Sequence, residues 1–241
     1  MLNELNLTWT DVIAVVFFGA GWVGYVLFAG WYGARVPSLH NSMDRFRREW
    51  MSQMIGRDNR MVDVNVMRNI TRSSQFFAST TILIMGALVA SMGYVQQAQD
   101  LVSGLPFTVK ASARLLEIKM FLLVLIFVHA FFKFSWAIRQ LNFCGILVAA
   151  APKQPKAPND DPEQYAAHIN RIARITSYAG SNFNHGLRTY YFAVAAMGWF
   201  LHPWLMMLAT VLVIYILHHR EFRSKTLLAL VDDDASAKLK N

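Results

Sequence analysis

The sequence predicts an all-α protein, a polytopic membrane helix bundle of four to five transmembrane helices with two interfacial amphipathic helices. Three observations carry that reading. Of the 241 residues 55% are apolar and only 16% are charged, whereas a soluble domain carries about 25% charge. Two stretches, Val12 to Ala34 and Ser73 to Gln99, hold no charge at all, and both exceed the ~18 apolar residues that mark a membrane-crossing helix. The basic residues gather in a few segments between the apolar ones. Together these exclude a soluble enzyme, a disordered chain and a secreted disulfide scaffold. The single Cys144 cannot form an internal disulfide.

The first apolar segment, about residues 10–34, is bracketed by Trp9 and by Trp31 with Tyr32, as amphipathic rings are at the two headgroup levels. No Lys or Arg precedes it, and it is longer than the apolar core of a signal peptide, so it is expected to remain in the mature protein. Small-residue pairs four apart, Ala20 with Gly24 and Ala29 with Gly33, are expected to let helices of the same chain approach closely.

Residues 35–72 carry eight arginines against four acids. Met43, Phe46, Trp50 and Met54 recur at steps of three and four, the stripe of an amphipathic helix capped by Asn41 or Ser42 and ended by Gly56. An amphipathic segment over about 42–70 is expected at the headgroup plane or beneath the bundle. A second span follows at about 73–94, with the hydroxyl cluster Ser79, Thr80 and Thr81. A connection holding Asp100 and Lys110 leads to a third span, about 114–139, and a short apolar run, Phe143 to Ala151, comes next. Pro152, Pro155 and Pro158 mark a loop, and Asp161 followed by Pro162 and Gln164 reads as a helix start. A second amphipathic segment over 161–180 is expected to end near Gly180. The run from Thr189 to Leu217 would reach about 43 Å as one helix, too long for a ~30 Å hydrocarbon core, and His202-Pro203 interrupts it. Two spans, about 184–201 and 203–222, are expected to meet there in a tight turn.

Basic residues number eight in 35–72, six in 139–188 and five in 218–241, but one in 95–113 and none in 1–11. The positive-inside rule then places the N-terminus outside and the C-terminus in the cytoplasm, with five crossings of a cell inner membrane. The same rule accounts for the net charge of +8, so the expected partners are the bilayer, anionic lipids and a membrane protein, and not nucleic acid.

Chemistry is sought first among ionisable groups inside spans, each of which costs about 2.5–3.5 kcal/mol at mid-bilayer. Glu117, Lys119, His129 and Lys133 lie in the third span; with Ser79 and Thr80 they form a candidate polar pathway for an ion or anion. The alternative is that both lysines snorkel to opposite interfaces. Arg57, Arg60, Arg68, Arg72, Arg139 and Arg188 form a candidate surface for anionic lipid or a partner, and Asp63 is expected to pair locally, near Arg60. No histidine is expected at the depth of His129, which argues against bis-histidine haem. His218, His219 and Glu221 diverge around a helix and do not suggest a metal site. No catalytic motif is found, so no catalytic residue and no cofactor is assigned.

Several strings resemble a bacterial family of uncharacterised multi-pass inner-membrane proteins known only as a domain of unknown function. They are Arg48-Glu49-Trp50 with Arg57, Arg60 and Met61-Val62-Asp63; Phe76-Phe77-Ala78-Ser79-Thr80-Thr81; Phe131-Phe132-Lys133-Phe134 through Arg139-Gln140-Leu141-Asn142-Phe143; Asn184-His185-Gly186-Leu187-Arg188-Thr189-Tyr190-Tyr191-Phe192; and Arg220-Glu221-Phe222-Arg223-Ser224. The resemblance covers Val36 to Leu228 and implies an α-helical inner-membrane protein, with no activity to carry over. The expected function is that of a non-catalytic accessory or scaffold subunit contacting anionic lipid or a protein partner on its basic face. The alternatives are a small ion or anion transporter and a haem- or quinone-binding oxidoreductase component.

Overall fold

A computed structural model describes residues 8–97, 112–151 and 162–231. Among them no strand occurs, and seven α-helices follow one another: α1 (Trp9–Gly33), α2 (Leu39–Ile55), α3 (Met61–Met92), α4 (Ala113–Ala149), α5 (Pro162–Met197), α6 (Pro203–Phe222) and α7 (Lys225–Leu230). A 3-10 turn, Gly198–Phe200, joins α5 to α6. The expected features at Asp100, Lys110, Pro152, Pro155, Pro158 and Asp161 lie outside the described residues.

Four helical stretches are long and apolar enough to cross a membrane: α1, α3, α4 and the stretch Pro203–Leu230. Their outward faces carry large apolar side chains, among them Leu27 (67% exposed), Leu83 (73%) and Leu208 (66%). In water such continuous apolar faces would mark a contact surface; around a bundle of this length they suit lipid. The expected span at 184–201 is not a separate element. It is the C-terminal half of α5, and α5 is not among the four because it carries Asn182, Asn184, His185 and Arg188. It nevertheless runs the length of the bundle, packed against α2, α4 and α6, which half-bury its polar groups.

The amphipathic segments differ from expectation. Residues 42–70 are not one helix: α2 starts at Leu39 with Ser38, not Asn41 or Ser42, as its cap, and ends at Gly56 as expected. α3 then begins at Met61 and passes through Arg72 without a break. The short run after Arg139 is likewise the continuation of α4, and the segment at 161–180 continues through Gly180 in α5. At 1.5 Å per residue, helices of 32, 37 and 36 residues reach about 48–55 Å, far beyond a hydrocarbon core of ~30 Å. Their ends stand clear together. There Met51, Met54, Ile55, Met67, Cys144, Val148, Ile172 and Ala173 form one buried cluster. The apolar stripes therefore bury one another in a four-helix extension of the bundle.

A clamp ties α2 to α3 within this extension. Asp63 is 1% exposed, and its Oδ1 accepts from Trp50 Nε1 at 2.7 Å and from Arg57 Nη1 at 2.8 Å. The ion pair expected near Arg60 is thus made with Arg57. Arg60 instead donates to the carbonyls of Ile55 (3.2 Å) and Val148 (3.0 Å), closing the C-terminal ends of α2 and α4. Asp63→Ala is expected to lower stability by about 2 kcal/mol, since it removes the acceptor of both the half-buried Trp50 indole N–H and the Arg57 guanidinium. An unchanged unfolding midpoint in detergent would contradict the clamp.

The glycines of α1 also divide differently from their spacing. Ala20 and Gly24 face outward, with nothing near a Cβ placed on Gly24. Gly21 makes the close approach to α6, where an added Cβ would lie 3.1 Å from Thr210. The chain turns at His202-Pro203 as the sequence predicted, with Pro203 in the first turn of α6 and the His202 side chain found as its cap.

Candidate functional site

The starts of α1, α4 and α6 and the ends of α3 and α5 meet at one end of the bundle. Asp11, 4% exposed, accepts from Trp199 Nε1 at 2.7 Å through Oδ1. Lys119, also 4% exposed, donates to the Trp199 carbonyl at 2.7 Å, with its ammonium 5.2 Å from the Trp199 ring centroid. Lys119 therefore belongs to a lock that closes the α5–α6 turn onto α1 and α4. It does not snorkel, and it stands about 21 Å along α4 from Lys133, so the two do not share a site. Glu117 is exposed. Ser79 is exposed on α3, and Thr80 turns back to the Phe76 carbonyl at 2.8 Å. Thr81 is the hydroxyl that faces inward, 2.6 Å from the Phe77 carbonyl and 2.8 Å from Tyr190 Oη. The expected pathway along the third span thus separates into unrelated parts.

The arginines separate as well. Arg57 and Arg60 hold helix ends in the extension, while Arg68, Arg72 and Arg139 are exposed on α3 and α4. Arg188 lies inside the bundle, its side chain 14% exposed, and donates to Glu221 Oε2 at 3.0 Å. Glu221 Oε1 also accepts the backbone N–H of His40 at 3.1 Å, so this pair joins α5, α6 and the first turn of α2.

What the fold does bring together is Lys133, His129, His185 and Arg188. A groove of about 510 Å³ opens between α1 and α4, with α5 as its floor. Trp22, Val23, Val26 and Leu27 form one wall, and Leu122, Leu125 and Ile126 the other; the four polar residues and Thr189 line it as well. Lys133, His185 and Arg188 cluster toward the extension, which is where charge would meet headgroups. Val23, Leu27 and Leu125 are 59%, 67% and 49% exposed, so the groove faces the surroundings of the bundle. From Leu122 to Lys133 it follows α4 for roughly 16 Å. The arrangement offers an apolar slot closed at one end by Lys133 and by Arg188, the latter held by Glu221, complementary to an amphiphile with an anionic head.

Behind the groove lies a chamber of about 300 Å³. The wall along α1 and its C-cap is built of Val26, Ala29, Gly30, Gly33 and Ala34, and the four small residues leave the room. His185 and Arg188 line both cavities.

The sequence missed this convergence because it treated His185 and Arg188 as lying at the end of a span. Asn184, His185 and Arg188 fall at steps of one, three and four, a polar face on a helix next to an apolar run, and that signal could have found them. His185 also overturns the expectation that no histidine matches His129 in depth, since both line one groove. The His129 ring is nevertheless packed edge-on against Trp22, with centroids 5.7 Å apart, and among the described residues no cluster of three metal-ligating side chains occurs.

The fold and the groove define an all-α bundle with helices long and apolar enough to cross a membrane and a cationic pocket opening on its apolar flank. The chain belongs to the family described as "Protein of unknown function, DUF599", which matches residues 13–226. Comparison with curated proteins and with solved structures found no match.

Proposed function

We propose that this protein is a non-catalytic membrane scaffold that holds an anionic lipid in the α1–α4 groove. The observation carrying this reading is the convergence of Lys133 and Arg188, flanked by His129 and His185, at one end of an apolar slot on the bundle's outer flank. An acyl chain lies between Trp22 and Leu125, and the anionic head meets the two cations. Pairing with a fixed cation strengthens a hydrogen bond roughly twofold, and lipid around the slot keeps competing water low.

The bundle sits in the inner membrane of a bacterium with the N-terminus outside and the C-terminus in the cytoplasm. Support comes from the distribution of charge: among the described residues Arg114 and Lys119 are the basic residues at the Trp199 end. The arginines of α2, the first half of α3 and the C-terminal part of α4 belong to the other. Cytoplasmic ends carry such an excess. The extension then stands in the cytoplasm, where its exposed Arg68, Arg72 and Arg139 are available to a protein partner.

Native mass spectrometry of the full chain, released from mixed lipid by mild detergent, tests lipid holding. Retention of anionic lipid over phosphatidylcholine is expected, and Lys133→Gln is expected to reduce it about tenfold, the equivalent of one charge-assisted contact. Equal retention of neutral and anionic lipid would defeat the reading.

The proximity of His129 and His185 supports a second reading, in which the groove holds haem between two imidazoles. The edge-on packing of His129 against Trp22 ranks it behind the lipid. An absorption spectrum of the freshly purified protein decides: a Soret band lost in His185→Ala would put haem in its place.

A further inference from the structure

Lipid in the groove leaves the chamber behind it without a role, and the composition of that chamber is specific. Lys133 and Arg188 line the groove, and because Arg188 is paired with Glu221 the excess positive charge there is that of Lys133. The chamber is electrically balanced: Arg188 is matched by Glu221 at 3.0 Å, and the remaining polar lining includes the neutral groups Ser38, Asn41, Ser181 and Asn184. The side chains of Ser181 and Asn184 have no hydrogen-bond partner among the described residues. His185 and Arg188 form the partition between the two cavities.

We infer that the chamber reads the headgroup, an inference that rests on the groove holding an anionic lipid. The phosphate lies between Lys133 and Arg188. The alcohol esterified to it passes the His185–Arg188 partition, and its hydroxyls meet Ser181 and Asn184. The ligand class is a phosphodiester of a polyol, as in phosphatidylglycerol. Phosphatidic acid satisfies the cations and places nothing in the chamber. A head with a second anionic group meets the Glu221 carboxylate, an unfavourable like-charge contact in a poorly hydrated space.

The test is competition for the full-length protein among phosphatidylglycerol, phosphatidic acid and phosphatidylcholine, read by native mass spectrometry. Phosphatidylglycerol is expected to be retained about tenfold over phosphatidic acid, the worth of one or two neutral hydrogen bonds. Ser181→Ala removes only a hydroxyl that lines the chamber. It is expected to leave the unfolding midpoint and phosphatidic acid retention unchanged while reducing the phosphatidylglycerol preference severalfold. Equal retention of the two anionic lipids, both above phosphatidylcholine, would overturn headgroup reading and leave lipid holding intact. Retention of neither above phosphatidylcholine would overturn lipid holding itself. Soluble glycerophosphoglycerol is expected to bind at least about tenfold more weakly than the lipid, since it lacks the chains. Equal binding would overturn the lipid as the source of the head.

Discussion

Gly186→Val is expected to destabilise the bundle by about 3 kcal/mol, near the upper end of what overpacking a core costs. A Cβ at Gly186 would lie 2.5 Å from Phe134 Cε1 and 2.7 Å from Cζ. Phe134 cannot yield: it is fully buried, stacked on Phe77 at 5.4 Å between centroids and edged by Phe183 and Tyr190 at 5.7 and 5.8 Å. Its displacement would push apart α3, α4 and α5 at the level of the groove. Gly180 provides the control. A Cβ there meets the Arg47 guanidinium at 2.6 Å, but that group is the tip of a flexible side chain. Gly180→Ala is therefore expected to be neutral or mildly stabilising, because alanine is favoured over glycine inside a helix by about 1 kcal/mol. Unfolding in graded detergent, followed by circular dichroism, compares the two. Similar loss in both would mean that the close contact with Phe134 is not what demands glycine.

Lys119→Met is expected to cost about 2–3 kcal/mol, the value of a hydrogen bond to a charged donor. The substitution removes the bond from Nζ to the Trp199 carbonyl and leaves the Asp11 carboxylate without its neighbouring cation. Because Asp11, Trp199 and Lys119 act as one network, Asp11→Asn in the Lys119→Met background should cost less than it does alone. A double-mutant cycle measures that coupling. Strict additivity of the two changes would dissolve the lock into independent contacts.

Residues whose meaning is local were legible in the sequence. Gly56 ends α2, and His202-Pro203 turns the chain between α5 and α6, because a cap or a proline acts on its own backbone. The helix boundaries assigned at Arg72, Arg139 and Gly180 were not legible. Charge was taken as the edge of a span, yet these helices continue into an extension where Met51, Ile55, Cys144 and Ile172 bury one another. Packing between segments more than a hundred residues apart overrides a local charge. The site followed the same rule. Lys133 was recognisable as a costly residue in an apolar run. Its companions came from α5, because only the uninterrupted course of that helix sets His185 and Arg188 beside His129. Lys119 was misread for the converse reason: its partner is a carbonyl 80 residues away, which no spacing within α4 could reveal.

Photolabelling tests lipid holding most directly. A phosphatidylglycerol with a photoactivatable group on its acyl chain is incorporated into bilayers with the full-length protein, and adducts are mapped by mass spectrometry. Adducts are expected on residues 22–27 of α1 and 122–126 of α4, and they should fall sharply in Lys133→Gln. The outward face of α3 around Phe76 and Leu83, 66% and 73% exposed, serves as an ordinary lipid-facing surface. Labelling that is equal on that face and in the groove, and indifferent to Lys133→Gln, would contradict a specific lipid site.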